Sequence, residues 1–174
     1  MEFSITKSLE ILERTPVVLT HLLSGLSDDW ILSTEGAETW SAFDVVGHFI
    51  HGEKTDWLPR AEIILSDRPD KTFTPFDRFA QFQESQGKTL DDLLTEFRNL
   101  RKTNIEKLKS FQITKEDLSK TGQHPALGTV SLRELLATWV VHDLNHIAQI
   151  ARVMAKQYKD EVGAFSEYLR ILHT

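Results

Sequence analysis

The chain has 174 residues, 40% of them apolar and 26% charged, a length and balance that fit one soluble globular domain spanning residues 1–174. It contains no cysteine. Disulfides, thiolate nucleophiles, iron–sulfur clusters and cysteine-bound zinc are therefore excluded, and any metal must sit on His, Asp or Glu. A net charge of -6 offers no basic footprint for nucleic acid or anionic lipid. No run of about 18 apolar residues is present to span a membrane. The first residues, MEFSITKSLEILERT, carry acids where a signal peptide needs apolar residues, so a cytoplasmic protein is expected.

Hydrophobic periodicity predicts helix along most of the chain. Ile5, Leu9, Leu12, Pro16, Leu19, Leu23 and Leu26 recur at steps of three and four. Pro16 interrupts that stripe and predicts a kink, or a restart with Thr15 as N-cap. A second helix opens at Ser41, with Asp44 at capping-box spacing, and runs through Val46, Phe49, Ile50, Trp57, Ala61 and Ile64 to about Ser66. A third starts at Thr89 with Asp92 and buries Leu93, Leu94, Phe97, Leu100, Ile105 and Leu108. The fourth starts at the S-x-x-E box of Ser131 and Glu134 and should be the most buried helix, with Leu136, Val140, Leu144, Ile147, Ala151 and Met154 on its broad apolar side. Strand signals are nearly absent. Between the second and third helices, residues 67–88 exceed the two to eight residues usual between antiparallel neighbours and can cross the bundle to start a parallel helix. The expected fold is therefore an all-α four-helix bundle of up-down-down-up order. Phe73, Phe76, Phe79 and Phe82 should pin the crossover to the bundle, and Phe165, Tyr168, Leu169 and Leu172 suggest a short C-terminal helix.

One polar seam crosses the fourth helix. His142, Asn145, His146 and Gln149 fall within about 100° of one another, with Thr138 on the same line. Polar groups on an otherwise apolar helix are costly unless each finds a partner, and an i, i+4 histidine pair suits a divalent ion. A third imidazole must come from His21, His48, His51, His124 or His173. His48 and His51 both project onto the less apolar side of the second helix, and projection alone does not choose between them. Glu53 falls in the apolar stripe of the same helix and needs a cation or donors, Arg60 and Arg152 being candidates, or acts as an acceptor behind the ligands. Asp143 projects off the seam, and its geometry supports no direct role as a base.

Two segments carry a recognisable pattern: W-S-x-x-D-V-V-G-H-F-I-H-G-E in Trp40 to Glu53, and L-L-x-x-x-x-x-H-D-L-N-H-I-x-Q-I in Leu135 to Ile150. In order, spacing and placement the pair resembles the DinB/YfiT-like superfamily of metalloenzymes over essentially the whole chain. The resemblance implies an up-down-down-up bundle, frequent homodimers and a divalent metal held by one histidine of the second helix and an H-x-x-x-H pair of the last. Here those ligands would be His48, His142 and His146, with His51 an additional neighbour and Asn145, Gln149 and Glu53 in supporting or substrate-orienting positions. A small-molecule substrate is implied, and the ion could be Zn, Ni, Co, Fe or Mn. Members similar to this chain include transferases that use bacillithiol, mycothiol or glutathione, so the expectation is a metal-dependent thiol S-transferase of the bacillithiol type. A metal-dependent hydrolase and a non-catalytic metal-binding bundle are the alternatives. A zincin-type peptidase is disfavoured, because HDLNH lacks glutamate at its second position.

Overall fold

A computed structural model describes residues 1–174. Its helices are α1 (Ile5–Leu12), α2 (Thr15–Leu23), α3 (Asp28–Leu32), α4 (Ala42–Thr55), α5 (Trp57–Leu65), α6 (Ala80–Glu84), α7 (Leu90–Ser110) and α8 (Leu132–Lys156), with a hairpin of β1 (Thr121–His124) and β2 (Gly128–Ser131) before α8. Together α1–α2, α4–α5, α7 and α8 make the four-helix bundle. Three complete capping boxes, Ser41/Asp44, Thr89/Asp92 and Ser131/Glu134, open α4, α7 and α8 where the sequence places them. No helix is long and apolar enough to cross a membrane.

Side-chain pairs fix the topology. Phe49 meets Phe97, Glu53 meets Arg101 and Glu62 meets Lys107, so α4–α5 and α7 run parallel. Trp40 meets His146, His48 meets His142 and Trp57 meets Trp139, so α8 runs antiparallel to them. The crossover thus produces the up-down-down-up order.

Several local expectations are corrected. The first stripe restarts after Leu12, but the N-cap is Arg14 and Thr15 is already helical. The second helix breaks at Asp56, whose φ of -106° and ψ of -77° separate α4 from α5. Pro59 accounts for the break: it has no N–H to give Thr55, and its ring would crowd that carbonyl. The hairpin went unread because its strands, TGQH and GTVS, are short and glycine-containing. In the crossover Phe73 is buried and Phe76 half-buried, whereas Phe79 and Phe82 are 60% and 44% exposed, so only the first two pin the segment. The C-terminal stretch forms two 3₁₀ turns, and only Leu172 of its apolar residues is buried; the other three face solvent. In α8 Leu144 is exposed, and the buried line runs through Leu132, Leu136, Trp139, Asp143, His146, Ile150 and Val153.

Hairpin and crossover hold one another. Phe73 N donates to Gln123 O and Gln123 N to Lys71 O, each at 2.9 Å, a short parallel bridge against β1. Close approach requires glycine at 122, where a Cβ would lie 2.4 Å from Phe73 Cε1 and 3.0 Å from Ile64 Cγ1. Gly122→Ala is therefore expected to lower unfolding free energy by about 1–3 kcal/mol through overpacking, measured by urea denaturation.

Candidate metal centre

Helix α4 contributes His48 and α8 contributes His142 and His146. One ring nitrogen of each lies within 4.8 Å of the others. Tetrahedral bonds of about 2.1 Å place ligand nitrogens about 3.4 Å apart, within the range this cluster spans. His48 Nε2 approaches His142 Nε2 at 2.9 Å, which requires a shared proton or a shared cation between the two rings.

Two carboxamides set the hydrogens. Gln81 Oε1 lies 3.0 Å from His48 Nδ1, and Gln149 Oε1 lies 2.7 Å from His146 Nδ1. A carbonyl oxygen only accepts, so each Nδ1 carries the hydrogen and each Nε2 is left with a lone pair. That is the tautomer a metal-binding imidazole needs. Burial, reinforced by the neighbouring imidazoles, lowers His48 to about 3 and His146 to about 4, so both rings are neutral at pH 7. His142 is the most open of the three, and its buried Nδ1 has no hydrogen-bond partner; Asp143 Oδ1 stands 4.0 Å away. Aromatic rings wall the cluster: Trp40 and Phe76 stand 4.9 and 5.5 Å from His48, and Trp57 stands 4.9 Å from His142. The donor set, with the tautomers of His48 and His146 fixed, fits a divalent ion with positions left for an exogenous ligand.

The other expected residues fall elsewhere. His51 is buried, and its Nδ1 contacts Glu84 Oε1 at 2.9 Å rather than joining the cluster. Asn145 is exposed and bonds neither α8 histidine, because the seam turns outward at that position. His124 Nδ1 accepts the Ala126 and Leu127 amides at the hairpin tip, and His21 and His173 lie apart from the cluster. Gln81 was missed because it belongs to the crossover; the available signal was a carboxamide among the spaced phenylalanines.

Glu53 does need a cation, but neither Arg60 nor Arg152 supplies it. Arg60 pairs with Asp56, and Arg152 with Glu35. Instead Glu53 Oε1 accepts from Arg101 Nε at 2.9 Å and Trp139 Nε1 at 3.1 Å, while Oε2 accepts from Asn104 at 2.9 Å. Arg101 then grips Asp143 with two bonds of 2.6 and 3.0 Å and gives a further hydrogen to Leu12 O. The network lies directly behind the histidines, since Asp143 follows His142 and Trp139 precedes it by one turn. Burial raises the Glu53 carboxyl against the pull of Arg101, whereas Arg101 and its hydrogen bonds keep Asp143 low despite its burial. Its sequence signal was Arg101 itself, a cation within the stripe Leu94, Phe97, Ile105 and Leu108.

Replacing Gln81 with leucine frees the His48 ring to flip or change tautomer. Metal affinity should fall about 10–100-fold with little change in melting temperature, read by competition with a chromogenic chelator.

A family model for the DinB superfamily matches residues 11–150. Among solved structures the chain is similar to YfiT from Bacillus subtilis, described as a probable metal-dependent hydrolase with an unusual four-helix bundle topology. Identity is 18%, the TM-score is 0.73, and the match covers 93% of this chain and 91% of YfiT. No curated protein matches the sequence. With both histidine-bearing segments inside the matched span and the same bundle around them, the chain belongs to the DinB superfamily.

Proposed function

We propose that this protein is a divalent-metal-dependent enzyme that transfers a low-molecular-weight thiol, of the bacillithiol type, to a small-molecule acceptor, with His48, His142 and His146 as ligands. These three imidazoles would hold a divalent ion whose Lewis acidity would lower the pKa of an exogenous thiol or water. The observation that carries the thiol reading is the pairing of the nearby carboxylates. Glu53 and Asp143 are engaged by Arg101, Asp56 by Arg60, and Glu84 by His51 through Oε1, its Oε2 having only Lys54 at 3.7 Å. Activating water commonly calls on a free general base beside the metal, whereas a thiol, with an ordinary pKa near 8.5, ionises far more readily. The rings of Trp40, Phe76 and Trp57 beside the histidines favour a polarisable sulfur and an apolar acceptor.

The second reading, a metal-dependent hydrolase, draws on the description of YfiT. Incubating zinc-, nickel- or manganese-loaded protein with 1-chloro-2,4-dinitrobenzene and cysteine, glutathione or bacillithiol, in parallel with p-nitrophenyl esters and anilides, separates the two. Conjugate formation that saturates in thiol and disappears in His146→Ala supports transfer. Thiol-independent ester or amide turnover without conjugate supports hydrolysis. Neither activity, with only a lower melting temperature in the variant, marks a non-catalytic metal site.

A further inference from the structure

Phe79 and Phe82 are large apolar side chains that the fold does not use. Both are exposed, their rings near-parallel with centroids 6.4 Å apart, and Phe82 meets Trp40 edge-on at 6.3 Å. Together with Glu38, Thr39, Trp40 and Arg78 they line a cavity of about 540 Å³. That volume falls in the range of small-molecule sites, about 300–1,000 Å³. Trp40 lines it, and the same indole lies 4.9 Å from the His48 ring and stacks on His146 at 6.4 Å. The cavity and the histidine cluster thus share the Trp40 indole.

Charge decides what fits. Arg78 makes no ion pair; its guanidinium is held over Phe79 at 5.1 Å and over Trp40 at 5.6 Å. Cation–π contact fixes the face of the guanidinium and leaves its N–H edge available to an oxygen anion. Glu38, the other charged lining residue, also has no ionic partner and no aromatic ring to hold it, so it stays hydrated at the rim. We propose that this cavity is the acceptor subsite of the centre, binding a small molecule with a planar apolar body and a carboxylate, the body on Phe79, Phe82 and Trp40 and the carboxylate on Arg78. The assignment of the cavity to an acceptor rests on the enzymatic reading above; the ligand class rests on the cavity alone.

The probe is 2-naphthoate, with neutral 2-naphthamide as its isostere, titrated calorimetrically into the full chain. Naphthoate is expected to bind about tenfold more tightly than naphthamide. Arg78→Gln should abolish that preference by weakening naphthoate alone. Phe82→Ala should weaken both ligands about five- to tenfold, and Glu38→Gln should weaken neither. Since Arg78 and Phe82 are solvent-exposed, these variants are expected to fold normally. Absence of naphthoate binding at millimolar concentration, or a charge preference that survives Arg78→Gln, overturns the proposal. Location is read independently: cobalt-loaded protein should broaden the proton resonances of bound naphthoate where zinc-loaded protein does not, and bound naphthoate unaffected by bound cobalt overturns the link to the centre. Failure to take up cobalt would sink the metalloenzyme reading, while the titration still decides the cavity.

Discussion

Arg101→Met is expected to destabilise the protein by about 3–5 kcal/mol at pH 7, the largest stability effect of any single substitution considered. The methionine fills much of the space, so the loss is electrostatic. Glu53 and Asp143, both with fully buried side chains, would be left with two negative charges and no cation, and Leu12 O would lose its donor. The pH dependence distinguishes this from a packing defect. Without Arg101, burial outweighs the remaining hydrogen bonds and raises the folded-state pKa of both carboxyls above their unfolded values near 4. The folded variant then binds more protons than the unfolded chain above that pH, so its stability falls as pH rises. The deficit measured by denaturation should be smaller at pH 4 than at pH 7. A deficit independent of pH would show that the guanidinium acts through its volume. Replacing all three charges with Met, Met and Leu should recover part of the loss, since removing a whole buried network costs less than orphaning its members. Recovery stays incomplete because Trp139 Nε1 loses its acceptor and Asn104 keeps only the Glu53 backbone oxygen.

His146→Ala is expected to reduce tight divalent-metal uptake from one ion per chain to none, a larger loss than the ~10–100-fold attached to the carboxamide behind His48. His142→Ala should do the same with less structural disturbance, because His146 is nearly buried on the core line of α8 whereas His142 is more open. Using both variants separates ligation from packing. If His142→Ala, folded and with an unchanged melting temperature in chelator, still takes up one ion at wild-type affinity, the three-histidine assignment fails. His51→Ala supplies the contrast, since its imidazole is engaged by Glu84 and its loss should leave stoichiometry unchanged.

These two experiments address one assembly from opposite sides. Trp139, His142, Asp143 and His146 follow one another on α8, so the side chains that offer nitrogens toward α4 and those that lock α8 to α7 are interleaved. Arg101 ties Glu53 on α4 to Asp143 on α8, and through them sets the separation of the two helices that carry the histidines. A loosened network should therefore lower metal affinity as well as stability.

The residues that determine local structure were legible in the chain. Capping boxes at Ser41, Thr89 and Ser131 mark helix starts because a hydroxyl and an acid three positions on satisfy amides that no other residue reaches, and that chemistry is local. The bundle and its crossover followed from helix lengths and one long connection. Other features depend on residues distant in sequence. Whether His48 or His51 meets the α8 pair was undecidable from helix projection, because both lie on one side of α4; the rotation of α4 against α8 and the seating of Glu84 beside His51 decide it. Likewise Gln81 reaches His48 only because the crossover folds back over α4, and Glu53 finds Arg101 rather than a nearer arginine because α7 runs parallel beside it. Periodicity reports which face of a helix is apolar; the partner of a buried polar group is set by how helices pack, a property of pairs of segments and not of either alone.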